Sequence, residues 1–440
     1  MSTLSRRGFL SLAASLPALG SSQTQTVSPS SFARNTEYQL SRSDDDFLED
    51  LSRRIFLFFW EQSDPNTGLV LDRVRANGSQ ILGRNLEAAS TALTGFLLTA
   101  MCIASERRWM EPNEIRGRVR ATLRHLAYTQ EHVRGWYYHF ANRKNGERIW
   151  GSELSTIDTA LLLAGVLTAQ EYFANDGEIF ELAAFIYQRV DFPWMLDPQT
   201  GFLHLGWYPE KGLLRSEWTD YDEQAILYIL AIASPTNPIP VRSWYLFDRD
   251  PIEFSGYKFF GRGPIFTHQY SQAWLQLAHL QDGPPYHINY FQNSVIATYA
   301  HRAFCLSLRG MYPNYSETLW GVTASDSDIG YVIWGDPLSR RDIDGTVVPC
   351  AAGGSLMFAP EICVPTLRYM YDHFADYIYG RYGFVDAFNP QTMWVNPDVV
   401  GIDVGITLLS AENLRTGDVW RWMSASPEIQ RAMRRVFRPV

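Results

Sequence analysis

Carboxylates set among glycines and flat aromatic rings are the residues of this chain best suited to catalysis. Three late segments carry them: Trp320-Gly-Val-Thr-Ala-Ser-Asp326, Tyr382-Gly-Phe-Val-Asp386-Ala-Phe388-Asn389 and Gly401-Ile-Asp403-Val404-Gly405. Apolar ring faces beside carboxylates make the surface a sugar ring requires, with faces to stack on and acids to bind hydroxyls or move protons. Asp386 and Asp403 are expected in loops, where nearby glycine lets the backbone approach a ligand. Either one alone is better explained as a turn former. The two together, beside Trp320, Phe388 and Trp394, favour a cleft.

Two earlier segments place acids at expected helix starts. In Ser152-Glu153-Leu-Ser155-Thr-Ile-Asp158 the spacing from Ser155 to Asp158 is that of a capping box, while Glu153 lies outside the box as an additional carboxylate. In Trp218-Thr-Asp220-Tyr221-Asp222-Glu223 the same spacing joins Asp220 and Glu223. Crowded carboxylates raise one another's pKa, so Glu223 is the first candidate for a general acid, with helix capping as its alternative. Phe266-Thr-His268-Gln269-Tyr270 follows Gly261-Arg-Gly263-Pro264 and offers partners for sugar hydroxyls, or else a buried and satisfied histidine. Glycosidic hydrolysis needs one acid and one base or nucleophile, and these segments contain both kinds of group. HExxH, a His cluster and GxSxG do not occur, so metal-dependent and serine-based hydrolysis find no support, and the carboxylates are expected to act without a metal or organic cofactor. Asp44-Asp45-Asp46 reads as a solvated helix start.

These residues must be held by a helical scaffold. Apolar positions recur at helical spacing over 47–59, 88–101, 115–126, 154–173, 179–187, 224–232, 270–280, 296–308, 362–378, 404–414 and 429–437. Long aromatic loops at 135–149, 192–218, 234–263 and 310–360 separate them, and loops of that length are usually functional. Strand–helix alternation of the parallel-sheet kind is missing, and no 30- to 40-residue repeat is visible. The pattern suits an all-α fold, an (α/α) toroid with its long loops gathered at one mouth.

Composition limits the partners. The 440 residues are 46% hydrophobic, 19% charged and 14% aromatic, with net charge −9 and three lysines. A chain without basic stripes is not expected to bind nucleic acid. Ser5-Arg6-Arg7-Gly8-Phe9-Leu10 before a short apolar stretch reads as a twin-arginine export signal over residues 1–20, followed by a polar, disordered spacer at 21–42 and one domain over 43–440. Periplasmic or secreted location follows from that signal. No later apolar run is long enough to span a bilayer. Cys102, Cys305, Cys350 and Cys363 lack metal-finger spacing and are expected as buried thiols.

The motifs Glu153-Leu-Ser-Thr-Ile-Asp158, Tyr221-Asp-Glu223, Phe266-Thr-His268-Gln269-Tyr270, Trp320 to Asp326, Tyr382 to Asn389 and Gly401-Ile-Asp403 occur in one order across residues 45–438. In that order the chain resembles the glycoamylase-like family of toroid glycosidases, which includes bacterial endo-β-1,2-glucanases and a domain of cyclic β-1,2-glucan synthases. The resemblance implies an (α/α)6 toroid with a central cleft for a β-1,2-linked glucan or a relative. It implies Glu223 as acid, with Asp403 or Asp386 opposite, and Asp158 and Glu153 in the same cleft. Trp218, Tyr221, His268, Gln269, Trp320, Asp326, Phe388 and Trp394 are the expected sugar contacts. Val404 and Ile406 replace the Gln and Pro common after the family's Gly-Ile-Asp, and Asp222 stands where Asn is common. An inverting monomeric hydrolase is the favoured expectation, beside a catalytically silent binding protein or a transglycosylase.

Overall fold

The computed structural model describes residues 38–79, 81–83, 86–335, 337 and 343–440. The expected export signal and most of the spacer lie outside the described residues. Thirteen α-helices occur among the described residues: α1 (Arg42–Gln62), α2 (Thr91–Glu106), α3 (Pro112–Tyr128), α4 (Thr156–Tyr172), α5 (Gly177–Gln188), α6 (Ala225–Ala233) and α7 (Tyr270–Trp274), then α8 (Tyr290–Ser307), α9 (Pro349–Gly353), α10 (Pro360–Ile378), α11 (Gly401–Arg415), α12 (Asp418–Ala425) and α13 (Pro427–Val436). Helix α1 starts at the end of the expected spacer, where Ser41 Oγ accepts from the Asp44 N–H at 3.1 Å. Asp44 and Asp45 of the acidic run therefore lie in its first turn, where negative charge complements the helix dipole.

Burial divides the helices into two kinds. In α2, α4 and α11 nearly every side chain is buried, and in α6, α7 and α9 every one is. A helix that is apolar all round must be covered on all sides. The covering is supplied by amphipathic helices such as α1, α3, α5, α10 and α13, which bury one face each. Helices α2 and α4 approach most closely at two glycines. A Cβ on Gly165 would lie 2.0 Å from the Gly95 carbonyl oxygen, and one on Gly95 would lie 2.1 Å from that of Leu161.

Hydrogen bonds then tie the starts of the buried helices together. Gly401 of α11 donates its N–H to the Asp72 carbonyl at 2.8 Å, and Asp72 donates to Ala88, just before α2, at 2.9 Å. Thr91 donates to His139 O at 3.0 Å and His139 to Glu153 O at 2.8 Å, which leads to α4. Thr156 of α4 donates to Leu205 O at 3.1 Å, and Trp218 to Leu203 O at 3.0 Å, which leads to α6. The Ser271 hydroxyl of α7 accepts from Ile226 N–H and donates to Glu223 O. Gln269 Nε2 reaches Ala351 O of α9 at 3.0 Å, and Gly353 of α9 packs against Thr407 of α11. The circuit closes, and it gathers the first turns of α2, α4, α6, α7, α9 and α11 at one end.

Three differences from the sequence expectation have physical causes. The two helices that it lacked, α9 and α12, span five and eight residues, too few to show a period. The expected helix at 270–280 stops at Trp274. The long loops are not without structure but form short antiparallel ladders of two or three strands. A repeated turn also emerges. Asp64-Pro-Asn-Thr-Gly68, Asp197-Pro-Gln-Thr-Gly201 and Asn389-Pro-Gln-Thr-Met393 each let the first side-chain Oδ1 accept two N–H groups, at 2.8 and 3.2, 2.7 and 3.1, and 3.0 and 3.3 Å. The fifth residue has φ of +69°, +76° and +61°, and the turns precede α2, α6 and α11 in order. Only five positions recur, so the repeat stays below what a period search detects. Cys102, Cys305, Cys350 and Cys363 are buried thiols outside any disulfide.

Candidate active site

Asp403 lies in the first turn of α11, not in a loop. Its flanking glycines serve packing: a Cβ on Gly401 would fall 2.4 Å from Leu93 Cδ1, and one on Gly405 would fall 2.7 Å from Phe96 Cδ1. Asp386 follows the short Gly383–Phe384 strand and is buried. Its Oδ2 accepts from the Asp326 N–H at 2.8 Å and from Asn396 Nδ2 at 2.9 Å. Burial, then the charge and hydrogen bond of Asp403, then Asp326, push the Asp386 carboxyl well above the usual carboxylate range. Asp386 Oδ1 has no donor elsewhere among the described residues, so a proton on Asp386, offered to Asp403, satisfies it. Both carboxyls line a cavity of about 10 Å³ with Leu51, Ile55, Cys350 and Val404, room for about one water.

Asp326 extends this group. Its Oδ2 accepts from Arg73 Nη1 at 2.6 Å and from Asn396 Nδ2 at 3.2 Å. Burial pulls the Arg73 guanidinium down, yet Asp72, Asp326 and Asp386 outweigh it and keep it charged. One fixed cation thus faces three acids, and Asn396 bridges two of them. Neither Arg73 nor Asn396 stands out in the sequence, because each takes its role from contacts with Asp326 that only folding makes.

At the start of α4 a second group forms. Ser155 caps the helix, accepting from the Asp158 N–H at 3.2 Å, and its hydroxyl also donates to Asp158 Oδ2. Asp158 therefore faces the Ser155 hydroxyl. His139 stands between the acids, with Nδ1 at 3.1 Å from Glu153 Oε1 and Nε2 at 3.7 Å from Asp158 Oδ2. Its ring stacks on Phe140 at 4.0 Å, which fixes its plane. The Tyr208 hydroxyl donates to Glu153 Oε2 at 3.5 Å. His139 and Tyr208 carry no sequence signal beyond membership of long aromatic loops.

Glu223, the third part, is buried just before α6, and its N–H donates to Asp222 Oδ1 at 2.6 Å. The expected cap from Asp220 does not form. Asp220 is exposed, its carboxylate accepts from the neighbouring Thr219 hydroxyl, and α6 starts without a side-chain cap. Tyr221 is buried with its ring 4.7 Å from that of Tyr290 and 6.4 Å from that of His268. Burial, then the neighbouring His301, push His268 down to about 3, so it is a neutral ring, and Ser294 Oγ lies 3.4 Å from its Nδ1. Gln269 gives its amide N–H groups to Ala351 O and to Ser355 Oγ, 3.0 and 2.8 Å away, and so secures α9.

The aromatic expectations are partly corrected. Trp320 is fully buried and meets His301 edge-on, Trp218 is buried with Nε1 donating to Thr156 Oγ1 at 3.1 Å, and Phe388 packs on Phe374 at 5.3 Å. These rings fill the joints between helices and do not present open faces. Trp394 is half-buried, paired in a ladder opposite Asn389. The structure joins Asp326, Asp386 and Asp403 directly, and Glu153 with Asp158 through His139. Glu223 does not line the Asp386–Asp403 cavity; what the three groups share is the hydrogen-bonded circuit of helix starts.

Comparison with known proteins places this arrangement. Residues 215–427 match the family model Glycoamylase, described as putative glucoamylase, a span that holds Glu223, His268, Asp326, Asp386 and Asp403. An exo β-1,2-glucooligosaccharide sophorohydrolase (non-reducing end) of Parabacteroides distasonis is 26% identical over 458 aligned positions, covering 94% of this chain. The chain spans 60% of the length of that relative. The endo-β-1,2-glucanase of Chitinophaga pinensis, solved with sophorotriose and glucose, is 25% identical with a TM-score of 0.84, covering 91% of this chain and 99% of that one. A putative glucoamylase of Bacteroides fragilis is 28% identical with a TM-score of 0.84, covering 92% and 100%. Motif order, family match and structural likeness over most of the length agree: the chain has a helical-toroid fold and is similar to the glycoamylase-like glycoside hydrolases.

Proposed function

We propose that the protein is an exported glycoside hydrolase that cleaves β-1,2-linked glucan, or a closely related β-glucan, with inversion. The observation that carries the proposal is the buried Asp386–Asp403 pair at the end of the molecule where Glu223, Asp158 and Glu153 also emerge. Burying two carboxyls together is unfavourable, and such pairs persist mainly where chemistry uses them. The substrate class follows from the relatives, whose names record action on β-1,2-glucan or its oligosaccharides.

In this reading Glu223 protonates the glycosidic oxygen, and Asp403 activates the attacking water. Asp386 keeps the proton of the pair and, with Asn396 and the Arg73–Asp326 ion pair behind it, holds the Asp403 carboxylate in place. Glu153, His139 and Asp158 bind sugar hydroxyls on the other side of the mouth. The six buried helices and their amphipathic partners make the six hairpins of an (α/α)6 toroid. Residues 1–20 direct export in the folded state, and the protein works as a monomer without a cofactor.

Incubation with linear β-1,2-glucan, read by product size and by new reducing ends, tests the proposal. Short β-1,2-glucooligosaccharides with net new ends are expected, together with their loss in Glu223→Gln. Val404, which borders the cavity where the family resemblance implies an amide, gives the silent reading its one specific support. Binding without new ends selects that reading, and longer or cyclic products without new ends select transglycosylation.

A further inference from the structure

One other set of ligating groups lies among the described residues, outside the acids already discussed. One ligand atom from each of Asp197, His204 and Glu217 lies within 4.8 Å of the others. The three come from one folded loop. Asp197 opens the repeated turn, His204 lies on the returning segment, and Glu217 pairs with His204 across an antiparallel bridge. His204 is only 8% exposed, and its Nδ1 has no hydrogen-bond partner. The nearest acceptor, Glu217 Oε1, is 3.8 Å away, too far for a hydrogen bond.

A buried ring nitrogen left unpaired opposite two carboxylates is unfavourable as it stands. A cation would satisfy all three groups. The surroundings already orient the ligands, as outer partners do in metal sites. Asp197 Oδ1 is engaged by the N–H groups of Gln199 and Thr200, which leaves Oδ2 to point elsewhere. Thr200 Oγ1 donates to Glu217 Oε1 at 3.2 Å.

We propose that Asp197, His204 and Glu217 form a binding site for a divalent first-row transition ion such as Zn²⁺. One imidazole nitrogen with two carboxylate oxygens suits such an ion better than Ca²⁺ or Mg²⁺, which favour all-oxygen shells. Ligand bonds of about 2.0–2.2 Å bring neighbouring donor atoms to roughly 3.3 Å apart. The 3.8 Å pair must therefore close by about half an ångström, which rotation of the partly buried Glu217 and Asp197 side chains supplies. Three protein ligands leave one position for water on the exposed side. The ion would brace the loop rather than react: Glu217 adjoins Trp218, whose indole N–H is bonded to Thr156 at the start of α4.

The test uses the untagged full-length chain after treatment with EDTA and dialysis. Titration with Zn²⁺ by calorimetry, and with Co²⁺ by visible absorption, is expected to show one saturable equivalent and ligand-field bands. Zn²⁺ is also expected to raise Tm. His204→Gln and Glu217→Gln should each weaken binding by on the order of 100-fold, while His373→Gln, at an exposed histidine, should bind as the wild type does. Should the variants fail to fold, the wild type still decides: the ligand-field bands of bound Co²⁺ must be lost on addition of one equivalent of Zn²⁺, which competes for the same three ligands. Absence of one-equivalent uptake by the wild type, or undiminished uptake by His204→Gln, overturns the proposal.

Discussion

Replacing Asp386 by Asn removes the titrating proton of the buried pair with little change of shape, and its effect on stability should depend on pH in a defined direction. In the folded protein burial and Asp403 hold the Asp386 carboxyl well above its ordinary value. In the unfolded chain it titrates near 3.9. A group whose folded pKa is raised contributes stability below its unfolded value and loses it as pH rises, because the unfolded chain releases a proton that the folded chain retains. The loss is about 1.4 kcal/mol per pH unit above roughly 4, up to about 4 kcal/mol by pH 7 if the pair keeps its proton throughout. The Asp386→Asn variant has no such slope. The new amide can donate to Asp403 as the acid did, and its carbonyl can accept from the Asp326 N–H and Asn396. Thermal unfolding of both proteins at half-unit steps from pH 4.5 to 7.5 should show Asp386→Asn gaining on the wild type by about 1.4 kcal/mol per unit, several degrees in Tm over the range. Parallel curves would show that the two carboxyls do not share a proton, and the role given to Asp386 would fall with that result.

Glu223→Gln should fold as the wild type and lower kcat by about 10²- to 10⁴-fold on the glucan, the span attributed to a positioned general acid; full retained activity of the folded variant refutes the assignment. Gly165→Ala forces a Cβ into the Gly95 carbonyl, 2.0 Å away, and should destabilise by about 3 kcal/mol or more, read by chemical denaturation, whereas Gly177→Ala meets nothing within 4 Å and should not. The native protein should react with no equivalents of a thiol reagent and its Tm should not respond to reductant, since all four cysteines are buried and none is in a disulfide; four equivalents should react after unfolding. Arg6→Lys with Arg7→Lys should trap the protein in the cytoplasm, measured by fractionation, and unchanged export would refute the twin-arginine reading.

Much of the scaffold was legible because it depends on local periodicity. The buried helices have apolar side chains on every side and the covering helices on one, and both patterns appear in single stretches of chain. The elements missed were α9 and α12, which are too short to repeat, and the strand ladders, whose pairing partners are far apart in sequence. Gly401 and Gly405 suggested a flexible loop around Asp403, but the structure uses their lack of a Cβ to seat a helix against Phe58, Leu93 and Phe96. In a one-dimensional reading, a glycine that permits bending and a glycine that permits contact look the same.

The acids themselves were named from sequence: Glu153, Asp158, Glu223, Asp326, Asp386 and Asp403 stand out by residue type and company. Their working relations were not, since proton sharing and charge balance depend on how folding brings separate segments together, Asp386 beside Asp403 and Arg73 beside Asp326. Arg73, His139 and Asn396 acquire meaning only once folding sets them beside those acids. The trio of Asp197, His204 and Glu217 matches no spacing motif for the same reason. Residue chemistry and local pattern, which the covalent chain carries with it, pointed to the family resemblance and determined the helical class and the candidate acids. Which acid keeps its proton, and which tryptophans are core and not cleft, only burial in three dimensions could decide.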